Sequence, residues 1–65
     1  MSNQFYIVYP EQRTVSAETI VVWYNDAVAS NEIDGDVIDA FSREDATLAA
    51  LALEDAGLIT LGHAL

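Results

Sequence analysis

Ser42 to Gly57 is the stretch that most restricts what this chain can become. Ser42 followed by Asp45 has the Ser-x-x-Asp form of a helix N-cap. Arg43 to Ala56 has high helix propensity, and Gly57 stands where a glycine ends a helix in the left-handed conformation. The spacing predicts a helix over 43–56. Leu48, Ala49, Ala52, Leu53 and Ala56 make its wide apolar face. Arg43, Glu44, Thr47, Glu54 and Asp55 take the rest, with Leu51 among them. The alanines permit a second element to approach closely.

That helix needs something to pack on. Residues 4–9, Gln-Phe-Tyr-Ile-Val-Tyr, are aromatic and β-branched and read as a strand buried on both faces or nearly so, stopped by Pro10. Residues 58–61, Leu-Ile-Thr-Leu, read as a short final strand pairing with it. Residues 14–24 support two readings. Thr19 to Tyr24 has strand propensity, and a hairpin with 4–9 would follow. At helical spacing, however, Ile20, Trp23, Tyr24, Ala27 and Val28 share one face, opposite Glu18, Val22, Asn25, Asp26 and Ala29. With Ser16 as N-cap, a helix over about 17–31 is the favoured reading, after a short second strand at 13–16. In the connector, Asp34-Gly35 signals a turn. A helical turn at 36–41 burying Val37, Ile38 and Phe41 is one possibility, and a small hairpin about Asp34-Gly35 the other. The expected fold is a small α+β domain with a short antiparallel sheet and two to three helices.

The chain has 65 residues, so it holds one domain (1–65) and one core. Ten of its residues are alanine, which buries little area. The core is therefore expected to rest on Phe5, Tyr6, Ile7, Val8, Ile20, Trp23, Tyr24, Val28, Phe41, Leu48, Leu53, Leu58 and Ile59. High charge argues for disorder, but the mean hydropathy of +0.22 and the patterning of apolar residues argue for a fold.

Eleven acids stand against two arginines and no lysine, a net charge of −9. Residues 1–25 carry a net −1, from Glu11, Glu18 and Arg13. Residues 26–65 carry −8, from Asp26, Glu32, Asp34, Asp36, Asp39, Glu44, Asp45, Glu54, Asp55 and Arg43. Direct binding of nucleic acid through phosphates needs clustered Lys and Arg and is not expected. Such a patch serves solubility or a saline cytosol on one reading. On the other it docks a basic partner, with carboxylates standing where phosphates would. The residues assigned to that face are Glu32, Asp34, Asp36, Asp39, Glu44, Asp45, Glu54 and Asp55.

Other chemistry finds little support. Cysteine is absent, which removes disulfides, thiolate metal sites and a cysteine nucleophile. Counting an EF-hand loop from Asp34 puts Ile38, Asp39 and Asp45 at its fifth, sixth and twelfth positions, where an acid or Asn, Gly and Glu belong. No metal, cofactor or catalytic residue is expected. His63 is the lone histidine, in a tail. The pairs Glu44/Asp45 and Glu54/Asp55 point to different helix faces and read as solvated acids. No apolar run reaches the ~20 residues of a membrane span, and no secretory signal is visible, so a cytosolic setting is expected. The chain is expected to be a monomer, with a dimer the alternative.

Two resemblances bear on function. Leu53 to Thr60 resembles the end of a winged-helix recognition helix running into its wing strand, although the basic residues with which that family reads DNA are missing. The whole-chain profile, short, lysine-free, cysteine-free and strongly acidic, resembles the phage-encoded inhibitors of host nucleic-acid enzymes, the anti-CRISPR proteins and other DNA mimics. That resemblance implies binding to a basic nucleic-acid-binding protein, such as a CRISPR effector subunit, in the host cytosol. It implies inhibition by occupancy rather than catalysis. The alternative class is an acidic structural or regulatory module, antitoxin-like or from a halophile.

Overall fold

The structure is a computed structural model that describes residues 3–62. Its elements follow the order β1 (Gln4–Tyr9), β2 (Arg13–Ser16), α1 (Ala17–Ala29), α2 (Arg43–Asp55) and β3 (Thr60–Leu61). The strands form one antiparallel sheet in the order β2-β1-β3. Phe5 pairs with Val15 and Ile7 with both Arg13 and Leu61, and the register shifts between Ile7 and Tyr9. The fold is the expected α+β arrangement, with the helix rather than the hairpin over 17–29.

Both helices lie against one face of the sheet. Phe5, Ile7 and Val15 enter a single core with Ala17, Ile20, Val21, Tyr24 and Ala27 of α1, Ala46, Ala49, Ala50 and Leu53 of α2, and Ile59. Among the described residues no helix lies over the other sheet face. That one-sided cover corrects the expectation of a strand buried on both faces, since Tyr6 is half-buried while Val8 and Tyr9 are exposed.

Each helix is capped by its own sequence. The Ser16 and Ser42 hydroxyls accept from the Thr19 and Asp45 amides. At the other ends the chain twice forms the same 6→1 and 5→2 closure. In α2 the Leu58 amide donates to the Leu53 carbonyl and that of Gly57, at φ 79, to Glu54. In α1 the Glu32 amide donates to Ala27 and that of Asn31, at φ 63, to Val28. Asn31 takes the left-handed conformation that asparagine tolerates, so α1 ends at Ala29 rather than at 31. The closure after α2 likewise consumes Leu58 and sends Ile59 into the core, leaving only 60–61 of the expected 58–61 strand.

Two packing expectations are corrected. On α2, Ala46, Ala49, Ala50 and Leu53 face the core, and Leu48 is 64% exposed. The buried face is rotated by roughly 80° from the one leucine content suggests. Alanines let α2 sit close to α1 and the sheet, and a leucine in their place would hold it off. In the connector neither the helical turn at 36–41 nor the Asp34-Gly35 hairpin forms. Val37 and Phe41 are exposed, and Ile38 is half-buried. His63 lies outside the described residues.

Candidate functional site

The connector, residues 30–42, has no regular structure of its own, so its backbone polar groups must find partners elsewhere. They find them on α1. Asn25 Nδ2 donates to the Ile38 carbonyl at 2.9 Å, and Asn25 Oδ1 accepts from the Ile38 amide at 2.8 Å. One side-chain amide thus replaces a neighbouring strand at that residue. From the preceding residue of α1, the Tyr24 hydroxyl donates to the Asp36 carbonyl at 3.0 Å. Gly35 permits this approach, since a Cβ there would lie 2.6 Å from the Tyr24 oxygen. Long loops without secondary structure are commonly functional. This one is held by those three hydrogen bonds, and it presents Glu32, Asp34, Asp36 and Asp39 at exposed positions.

The connector begins near the C-terminal end of α2, where Glu32 lines a pocket with Leu53 and Leu58, and ends at Ser42, the N-cap of the same helix. Between those two ends it is held by Tyr24 and Asn25 of α1. The helix carries the other four acids, Glu44 and Asp45 in its first turn and Glu54 and Asp55 in its last. Glu44 and Asp55 lie about 16 Å apart along the axis, from 1.5 Å per residue. The eight carboxylates are thus not drawn into one cluster. Four stand on a connector pinned to α1, and four at the two ends of α2.

Two of the eight have local duties. Asp45 Oδ2 accepts from the Ser42 hydroxyl at 3.0 Å, completing the cap. Glu54 Oε2 accepts from the Leu61 amide at 3.1 Å, tying α2 to β3. The other six make no hydrogen bond or ion pair among the described residues. Both arginines are turned to rings. Arg13 lies 5.0 Å from the centre of Trp23, and Arg43 lies 4.1 Å from that of Phe5 while donating to the Gln4 carbonyl. The Trp23 ring is half-buried under Arg13 rather than fully in the core.

Between the acids of α2 runs an apolar ridge. Glu44, Leu48, Leu51 and Asp55 fall within roughly 60° of one another at 100° per residue. Leu51 is 51% exposed, as its place on the polar face suggested, and Leu48 joins it through the rotation of the helix. The signal for that rotation was present in the sequence. Ala46, Ala49, Ala50 and Leu53 follow the i, i+3, i+4, i+7 pattern of a buried stripe, but their small hydropathy is outweighed by the leucines. The pocket beside Glu32, of about 240 Å³ and floored by Trp23, Ala27, Leu53 and Leu58, has no comparable signal, because four separate segments build it.

Among the described residues no group of three or more carboxylates or histidines converges to hold a metal ion. None of their helices is long and apolar enough to cross a membrane. Comparison of the chain with protein-family models, with curated proteins and with solved structures finds no match.

Proposed function

We propose that this protein is a non-enzymatic inhibitor that docks on a basic nucleic-acid-binding protein and blocks DNA access by presenting carboxylates in place of phosphates. An anti-CRISPR role, against an effector subunit in a host cytosol, is the form this takes. The observation that supports it most is the treatment of charge. A fixed connector and one helix present six unpaired acids outward, while both cations cover aromatic rings. Opposite charge accelerates and orients association, and a rigid array loses less entropy on binding than a mobile one.

The alternative, an interaction module whose acidity serves only solubility, fits less well with Asp55, the last-turn acid of α2 whose carboxylate makes no hydrogen bond among the described residues. There the helix dipole disfavours negative charge, and a solubilising acid gains nothing from that location.

The deciding experiment is affinity capture from nuclease-treated bacterial lysate, with duplex DNA as competitor. The expected result is capture of a DNA-binding protein that duplex DNA displaces. Asp34→Asn, Asp36→Asn and Asp39→Asn together should weaken the capture at least tenfold. A captured protein that DNA does not displace, or no capture of a DNA-binding protein, would overturn the proposal. Unweakened binding by the triple variant would remove the connector from the contact.

A further inference from the structure

A concave apolar feature lies beside the acidic connector. The pocket at the meeting of the β1–β2 turn, α1 and the end of α2 is lined on its floor by Trp23, Ala27, Leu53 and Leu58. Two acidic residues, Asp26 and Glu32, also line it, with Arg13, whose guanidinium lies over the Trp23 ring. Its volume of about 240 Å³ exceeds the roughly 150 Å³ at which an apolar cavity admits a benzene ring. It thus accommodates one aromatic or large aliphatic side chain.

We infer that this pocket receives a bulky apolar side chain of the basic partner, one flanked in the partner's sequence by Lys or Arg. The inference rests on the proposed function for its partner class and adds a specificity element to it. The apolar floor selects the side chain, and a rim with two acids against one arginine selects its cationic neighbours. Charge alone gives fast but indiscriminate association, whereas a central apolar anchor surrounded by polar groups commonly carries most of the binding energy. Asp26 and Glu32 also place the pocket at the end of the connector that carries Asp34, Asp36 and Asp39, so anchor and charged contact lie on one continuous surface.

Trp23 is the chain's only tryptophan, and it lines the pocket, so it reports occupancy directly. The probes are three capped peptides, Arg-Phe-Arg, Arg-Ala-Arg and Glu-Phe-Glu. They are titrated into the intact protein while Trp23 emission and the amide NMR shifts of Ala27 and Leu58 are followed. Arg-Phe-Arg should saturate, with shifts centred on those residues, at least tenfold more tightly than either of the others. Asp26→Asn combined with Glu32→Gln should remove most of its advantage over Glu-Phe-Glu while leaving circular dichroism unchanged. Equal responses to all three peptides, or no saturation, would overturn the inference. So would a concentration-dependent emission shift of the protein alone, which would give the pocket to a second copy. The two proposals fail separately. Peptide selectivity without capture of any DNA-binding protein would leave the pocket and remove the function. Capture that depends on Asp34, Asp36 and Asp39, without peptide selectivity, would do the reverse.

Discussion

Asn25→Ala tests whether the connector is held as the structure describes. The substitution deletes two hydrogen bonds to one residue, from Nδ2 to the Ile38 carbonyl and from the Ile38 amide to Oδ1. A net contribution of about 0.5–1.5 kcal/mol each gives roughly 1–3 kcal/mol. Both bonds are only partly buried, and water can reach the freed groups, so the lower part of that range applies, about 1–2 kcal/mol. For 65 residues at roughly 0.05–0.15 kcal/mol each, the whole stability is about 3–10 kcal/mol. The loss is therefore a large fraction of it and should lower Tm by roughly 4–16 °C. The assay is urea unfolding followed by circular dichroism, with hydrogen exchange read at the Ile38 amide. Asn25→Asp keeps the acceptor for that amide and loses only the bond to the carbonyl. It should therefore retain Ile38 protection while losing about 1 kcal/mol. Asn25→Ala should lose both, and should weaken partner capture although no charge has been removed. An Ile38 amide equally protected in Asn25→Ala, with stability changed by less than about 0.3 kcal/mol, would refute the pinned connector.

Leu53→Ala should cost about 2–5 kcal/mol in urea unfolding, because Leu53 is 1% exposed among alanines that cannot fill the void; Leu48→Ala on the same helix should stay within about 0.5 kcal/mol. Gly57→Ala meets no neighbouring atom, so its cost of about 1 kcal/mol should come from φ 79 alone, and Gly57→Asn should recover part of it. Asp55→Asn should raise stability by about 0.3–1 kcal/mol at low salt, since its charge opposes the α2 dipole, and the gain should shrink as sodium chloride is added. The intact protein's Tm should itself rise with salt, because a net charge of −9 repels itself; a falling Tm would contradict this.

Local signals carried most of the architecture. Ser16 and Ser42 cap the helices as their positions in the sequence imply, and Gly57 ends α2 through its left-handed φ. These are interactions within a few residues, and composition alone constrains them. What was not legible depends on which elements face each other. Whether β1 is covered on one face or two is decided by where the helices go, which no property of residues 4–9 records. The rotation of α2 follows from close approach to α1, a gain that alanine's low hydropathy understates. Asn25 reads as a solvent-face residue by helical spacing, and it becomes an organising residue only because Ile38 returns beside it. The acid positions were legible as a list. Their division into a connector group and two helix ends was not, since that requires the path of the connector, which Tyr24 and Asn25 of α1 set.

The small core and the exposed ridge are two consequences of one choice of residues. Filling the interface of α2 with Ala46, Ala49 and Ala50, all fully buried, brings the helix close but leaves no room there for Leu48 and Leu51. Those leucines turn outward, between Glu44 and Asp55, at a cost in burial that a protein of this size can hardly spare. A chain selected for stability alone would exchange the positions, with leucine inside and alanine out. Acids selected for solubility alone would not need a fixed connector or a place at the negative end of a helix. Both departures put apolar and acidic groups together on the connector and α2 surface. Substituting Leu48, Leu51, Asp55 or the connector acids should therefore raise or spare stability while weakening partner binding, and core substitutions should lower both together.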